Sequence, residues 1–237
     1  MKPVSLQSSV SRPRSSGFTL LELLVVIGLI AVFSFFIAGG LAGGGKSAAL
    51  QSAQATLANL VTAARTKAMA SGQSARVLVH VDVTSTGQPL RYLRYVAIQT
   101  QTTTGWQTVS DAFLPDGIYV VPGNFGTIPA GLFAANTSTP WIKTDGSALR
   151  STALRSNQIT AETINSPVTE QWVSFTLSSS AGTAQPGDIV LAAGHVRPPG
   201  SYLAGESPVE LESPENVRGL TLSVYGVPAL INARAGF

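Results

Sequence analysis

The side chains that most often carry catalysis are few in this sequence and lie far apart. The chain has 237 residues, no cysteine and two histidines, His80 and His195. The lack of cysteine excludes disulfides, thiol nucleophiles and Cys-ligated metals. His80 falls on the polar face of a predicted strand, where we expect it to be solvated. With neither a nucleophile elbow nor an HExxH pattern, the sequence predicts a protein that is not an enzyme.

The aspartates do not form a metal-binding pattern either. Asp111, Asp116, Asp145 and Asp188 are not arranged in a D-x-[DN]-x-[DN]-G loop. The Asp-Gly pairs at 116–117 and 145–146 are typical of turns. We therefore expect no metal and no cofactor.

One acidic residue lies in an unusual place. Glu22 is near the start of the run Phe18–Ala42, in which the only other polar side chains are Thr19 and Ser34. As a helix this run is long enough to span a hydrocarbon core about 30 Å thick. A carboxylate at the centre of a bilayer costs at least ~2.5 kcal/mol, so Glu22 requires a partner.

The residues before this run are basic. Residues 1–17 contain Lys2, Arg12 and Arg14 and no acid, which places the N-terminus in the cytoplasm and the rest of the chain outside. Without them the chain has equal numbers of acidic and basic side chains and is neutral. The basic pI therefore does not indicate a nucleic-acid partner.

Three interpretations of the N-terminus compete. A secretory signal peptide has a shorter apolar core, although the small residues at 38–45 could supply its cleavage site. A plain single-span anchor explains the length and the orientation. Neither interpretation explains Glu22.

The third interpretation is a resemblance. "GFTLLE", Gly17–Glu22, resembles the cleavage and methylation motif of type IV prepilins and type II secretion pseudopilins. The resemblance implies that a membrane prepilin peptidase cuts after Gly17 and methylates the new N-terminus at Phe18. It also implies that Glu22 pairs with the Phe18 amine of a neighbouring subunit, which sets axial register during assembly.

A helix and a β-rich region are predicted to follow. Glycines at 39–45 predict a weak or bent helix. From Lys46 to Ser71 apolar residues recur at steps of three or four, and Gly72 suits the left-handed stop. The predicted helical stripe consists of Leu50, Ala53, Leu57, Leu60, Val61, Ala64 and Ala68.

Short strands come next, so we predict an α+β fold in which the helix packs on an antiparallel sheet. The run 75–83 alternates valines with polar residues, which predicts a strand with one buried face. Further strands are predicted at 90–100, 117–121, 171–177, 188–193 and 219–226, and a long loop or insertion at 123–167.

The order of these pieces adds a second resemblance. Residues 57–79 resemble the helix-to-strand region of pseudopilin H and of the minor pilins FimT and FimU. The expected organisation is a removed leader 1–17, a transmembrane and assembly helix 18–45, and a periplasmic pilin-like head 46–237. The head comprises an amphipathic helix 46–71 and a β-rich part 75–237.

Charges in the head are unevenly distributed. They allow two interpretations: separate solvated surfaces, or a complementary interface between subunits. A role in DNA uptake is a further interpretation of the segment that contains Arg91, Tyr92, Arg94 and Tyr95. A simpler interpretation is a strand whose side chains divide between core and surface. The candidate interface residues are Arg65, Lys67, Arg76, Arg91 and Arg94 early in the head, and Glu206, Glu210, Glu212 and Glu215 near its end.

The resemblance implies a structural role in the inner membrane and periplasm. The expected protein is a minor pseudopilin of type II secretion; its partners would be prepilin peptidase, other pilin or pseudopilin subunits and the inner-membrane assembly platform. The alternatives are a minor pilin of a type IV pilus or DNA-uptake machine, and a membrane-anchored periplasmic enzyme or binding protein. We expect no nucleic-acid partner.

Overall fold

The structure is a computed structural model that describes residues 20–84, 88–123, 128–135, 140–155, 158–180 and 186–237; within its helix, the side chains of residues 22 and 31–44 are not described. The chain divides into two compact units, Met1–Gly43 and Gly44–Phe237. Helix α1, Leu20–Ser71, supplies residues to both.

Within the first unit, the structure describes the beginning of α1, from Leu20 onwards. The helix continues without a break through residues 39–45. Glycine weakens a helix by about 1 kcal/mol per residue but keeps its backbone donor and acceptor, so the ladder can continue. Among the described residues, no helix is both long and apolar enough to cross a membrane.

In the second unit, α1 presents one apolar stripe to the core. All seven residues of the predicted stripe, Leu50 to Ala68, are buried, which confirms that prediction. The helix ends at Ser71, and Gly72 has φ 66°, as predicted for a left-handed helix stop.

Two antiparallel sheets pack in this unit. Sheet 1 has the strand order β3-β2-β1-β6-β5, and sheet 2 has the order β10-β9-β7-β4, with β8 paired to β7. The strands of sheet 1 are β1 Ala75–His80, β2 Tyr95–Thr102, β3 Gly105–Phe113, β5 Ile159–Glu162 and β6 Glu170–Leu177. The remaining strands are β4 Ile118–Val121, β7 Gly187–Val196, β8 Val209–Leu211, β9 Val217–Leu222 and β10 Pro228–Ile231.

The main core joins α1 to both sheets. The helical stripe packs in one cluster with Val77 and Phe175 of sheet 1 and with Ile189 and Leu220 of sheet 2. The fold class predicted from the sequence is confirmed: a helix packed on antiparallel sheets.

Strand β1 differs from the prediction because both of its faces are buried. Val77 and Val79 face α1. On the opposite face, Leu78 packs with Tyr95, Trp172 and Ile164, so the expectation of a single buried face is wrong. The reason is that the connection between β5 and β6, which contains Ile164, covers this second face.

The predicted loop region 123–167 contains ordered structure where it is described. It includes β5, which pairs with β6. Leu132, Trp141 and Leu149 are buried in a second core cluster with Tyr119 and Val190 of sheet 2. Residues 124–127, 136–139 and 156–157 of this region lie outside the described part of the chain.

A buried glutamine on α1 generates the first prediction. Gln54 is 2% exposed, and its Nε2 donates hydrogen bonds to Gly219 O at 2.8 Å and Ile231 O at 2.9 Å. Replacing Gln54 with Ala should lower the free energy of unfolding by about 1–3 kcal/mol, because buried carbonyl oxygens lose their donor. Urea unfolding measures this change. The control is Gln51→Ala at an exposed position; an equal loss in both variants would contradict the role of Gln54.

Candidate assembly site

The start of α1 presents apolar side chains around the whole helix. Leu20 is 84% exposed, and Leu21, Leu23, Val25 and Val26 are also exposed. Successive helical residues point about 100° apart, so these side chains do not form one stripe. A helix with large exposed apolar surface is typical of a segment covered by lipid or by another protein.

The three residues predicted for processing and pairing are not described in full. Gly17 and Phe18 lie outside the described residues. Glu22 lies on α1, but its side chain is not described. Their predicted roles therefore stay predictions.

The basic residues of the predicted interface do not form one exposed surface. Arg76 is 7% exposed, pairs with Glu162, donates to Gln99 Oε1 at 2.8 Å and stacks on Trp106. Arg91 is 4% exposed, and its Nη1 lies 2.9 Å from Glu170 Oε2. The inclusion of these two arginines among the surface charges is wrong, because both are buried against internal acids.

The other three basic residues lie nearer the surface. Arg65 donates from Nε to Tyr225 O at 3.2 Å, and Lys67 is exposed on α1. Arg94 donates to Leu114 O at 2.7 Å and pairs with Asp116. These arginines therefore hold strand ends and turns of the same chain.

The acidic residues also have partners within the chain. Glu206 Oε2 lies 3.3 Å from Arg197 Nη1, and Glu212 Oε2 lies 2.6 Å from Lys46 Nζ. Glu210 is opposite His195 in the β7–β8 ladder, and Glu215 is exposed between β8 and β9. Glu206 and Glu212 are therefore already paired with basic side chains of the same chain.

His80 occupies a different environment from the predicted one. Its side chain is fully buried, so the expectation of a solvated histidine is wrong. Nε2 lies 3.5 Å from Glu170 Oε1, and the ring meets Trp172 edge-on at 5.1 Å. Burial lowers the pKa of His80, against the opposing charge of Glu170.

The partners Glu162 and Glu170, distant in sequence, were missed because β-strand periodicity does not identify long-range pairs.

The aspartates have structural partners. Asp145 accepts hydrogen bonds from Ser147, and Asp188 Oδ2 pairs with Lys143 Nζ at 2.9 Å. Gly117 and Gly146 have φ values of 76° and 83°, which confirms the two Asp-Gly turns. Among the described residues, no group of three or more His, Asp or Glu side chains could hold a metal.

Comparisons with known proteins agree with the N-terminal motif. Residues 12–38 match the family model described as "Prokaryotic N-terminal methylation motif". This range contains Gly17, Phe18 and Glu22. No curated protein matches the chain significantly.

The chain is also similar to two solved structures of the minor pseudopilin EpsH from the type 2 secretion system of Vibrio cholerae. The first has 12% identity and a TM-score of 0.38, covering 77% of this chain and 96% of that one. The second has 16% identity and a TM-score of 0.38, covering 79% of this chain and 96% of that one. Similarity at this TM-score does not establish a shared function.

The chain thus combines an N-terminal methylation motif, an apolar start of α1 and an α+β unit. Over residues 12–38 the chain is therefore similar to proteins that carry the prokaryotic N-terminal methylation motif.

The position of Arg76 generates a second prediction. Burial alone raises the pKa of Glu162, but hydrogen bonds from Thr160 and Gln99 and the charge of Arg76 outweigh it and lower that pKa. Arg76→Ala should lower the free energy of unfolding by about 3 kcal/mol, because it leaves Glu162 without its cation. Lys67→Ala, at an exposed site, is the control and should change it by less than about 0.5 kcal/mol. Guanidinium unfolding distinguishes the two; equal effects would mean that Arg76 is not an internal partner.

Proposed function

We propose that the protein is a minor pseudopilin, a structural subunit of a short periplasmic pseudopilus in type II protein secretion, and that it is not an enzyme. It is made as a precursor, cut after Gly17 by prepilin peptidase and methylated at Phe18. Residues 18–45 hold it in the inner membrane with the head in the periplasm, and the assembly platform there adds it to other pseudopilin subunits. The methylation-motif match at residues 12–38 is the observation that carries this proposal.

The chemistry of the N-terminus supports this use of Glu22. Cleavage leaves a cationic amine on Phe18, four residues before Glu22, a distance of about 6 Å along a helix axis. Within an apolar assembly, an unpaired carboxylate or amine is costly, and pairing the two compensates for both. An incoming subunit reaches this pairing at one axial position, so the contact selects the register.

The exposed start of α1 supports assembly through the helix. The side chains at 20, 21, 23, 25 and 26 leave apolar surface on several sides of the helix. Such a helix can be covered by lipid before assembly and by neighbouring helices afterwards. Apolar burial supplies roughly 25 cal/mol per Å2 whichever way the covering helix is oriented.

The choice of a secretion machine follows the resemblance of residues 57–79 to pseudopilin H. The alternative is a minor pilin of a type IV pilus or DNA-uptake machine, which would share the N-terminal chemistry. The burial of Arg91 and Tyr92 does not favour a nucleic-acid surface at 91–95. Deleting the gene should leave an exoprotein in the periplasm; loss of surface pili or of DNA uptake with normal secretion would favour the alternative.

The mature N-terminus provides the third prediction. Mass spectrometry of the protein from its native membrane should find N-methylated Phe18 at the N-terminus. The same measurement on a strain without prepilin peptidase should find the leader intact. An uncleaved leader in the wild type, or cleavage near residue 42, would reject the proposal.

The fourth prediction concerns Glu22. Glu22→Gln keeps the shape of the side chain but removes its charge, so cleavage and methylation should proceed while incorporation into the filament falls at least tenfold. Crosslinking to other pseudopilins, measured after processing is verified, reports incorporation. Ser34→Ala, another polar position in the apolar run, is the control and should assemble normally. Normal assembly of Glu22→Gln would contradict the charge pairing.

A further inference from the structure

A short uncharged segment covers the face of sheet 1 opposite α1. The connection between β5 and β6, residues 163–169, is called the β5–β6 flap. Its sequence, TINSPVT, contains no charged side chain. Ile164 of the flap is 2% exposed and packs with Leu78, Tyr95, Ala97 and Trp172, which form an apolar floor beneath it.

Arg91 connects the flap to the charged groups of the sheet. Its Nη2 donates to Ile164 O at 2.6 Å, and its Nη1 lies 2.9 Å from Glu170 Oε2. The guanidinium also lies over the ring of Tyr95, 4.4 Å from the centroid. A second link is a hydrogen bond from Asn165 Nδ2 to Tyr95 OH at 2.8 Å. The position of the flap therefore depends on the geometry of the Arg91–Glu170 pair.

His80 is buried beside this pair. Its Nε2 lies 3.5 Å from Glu170 Oε1, the second oxygen of the carboxylate that holds Arg91. In the described part of the chain, three charged groups face His80: Glu170 on β6, Arg91 before β2 and Asp82 just after β1. Burial lowers the pKa of His80; Glu170 and Asp82 oppose this effect, and Arg91 adds to it. His80 is therefore neutral at neutral pH, and the carboxylate of Glu170 pairs with the guanidinium of Arg91.

We propose that the β5–β6 flap is an acid-released cover, held closed while His80 is neutral and opened when His80 takes up a proton. The proton places a second cation beside Glu170, so His80 and Arg91 repel each other and compete for one carboxylate. The Arg91 guanidinium then leaves the position from which its Nη2 donates to Ile164 O, and this hydrogen bond breaks. Opening hydrates the charged histidine and exposes the aromatic floor of Tyr95 and Trp172. This inference is independent of the proposed function.

The direction of the pH dependence follows from proton linkage. In the open state His80 is solvated and has an ordinary pKa of about 6.5, whereas the closed state has a lowered one. The open state therefore binds more protons between these two values. The equilibrium constant for opening should rise by up to about tenfold for each pH unit below ~6.5 and should be constant above that range.

Hydrogen exchange of the full chain in detergent micelles tests the proposal. From about pH 7.5 to about pH 5, and after correction for intrinsic exchange, peptides covering 163–169 should lose protection by up to about tenfold per unit below pH ~6.5. Peptides covering Val77–Val79 of β1 should keep their protection over the same range. Constant protection of the flap, or an equal loss in β1, would overturn the proposal; the second result would indicate global unfolding.

Two histidine variants provide the matched comparison. His80→Gln cannot gain a charge, so protection of its flap should not depend on pH. His195→Gln removes the other histidine, whose side chain is 53% exposed, and should keep the wild-type pH dependence. Loss of flap protection at low pH in folded His80→Gln would overturn the proposal.

If His80→Gln does not fold, the wild type still provides a decisive test. The chain has two histidines, so imidazole NMR signals can be assigned with His195→Gln alone. The titration of His80 should coincide in pH with the loss of flap protection. A titration of His80 with no accompanying exchange in the flap would reject the proposal.

Discussion

The second unit depends on one apolar contact, the stripe of α1 between Leu50 and Ala68. Its alanines, Ala53, Ala64 and Ala68, are fully buried and let the helix approach the strands closely. Residues from both sheets meet this stripe in a single cluster, so the helix joins two sheets that otherwise have separate strand ladders. Gln54 fixes the position of the helix on the strands, because its side-chain amide donates to one carbonyl of β9 and to one of β10. Apolar burial stabilises the contact between the helix and the sheets, and the buried amide of Gln54 sets the position of the helix on the strands.

The elements that could be predicted are those whose periodicity reports burial. The stripe of α1 repeats over seven positions, and the aliphatic runs at β1, β4, β6, β7 and β9 each predict a strand that the structure contains. The strands that sequence analysis missed lack this signal. β3, Gly105–Phe113, is an edge strand with no fully buried residue, and β8 has only three residues. Their positions are set by pairing with β2 and β7, which a local pattern does not contain.

The candidate site shows the same limit of local patterns for polar residues. Arg76, Arg91 and His80 alternate with apolar residues or follow a turn, and this alternation normally indicates a solvated face. Their burial depends on Glu162 and Glu170, which are distant in the chain. Glu162 pairs with Arg76, and Glu170 lies beside both Arg91 and His80. One sequence signal does indicate a second covered face: Trp172 lies on the same side of β6 as Ser174. A tryptophan among small polar residues suggests burial on that side.

The distribution of internal ion pairs affects how the head would choose its neighbours in the proposed pseudopilus. Lys46–Glu212 and Arg197–Glu206 already use both acidic and basic side chains of the head, and exposed pairs contribute about 0–1 kcal/mol each. An interface between heads would exchange such pairs rather than create many new ones, so charge would affect the choice of partner more than affinity. The exposed apolar side chains at the start of α1 have no such competing partner in their own unit among the described residues. Under the proposed function, the apolar start of α1 supplies the driving force for assembly, and the head discriminates between neighbours.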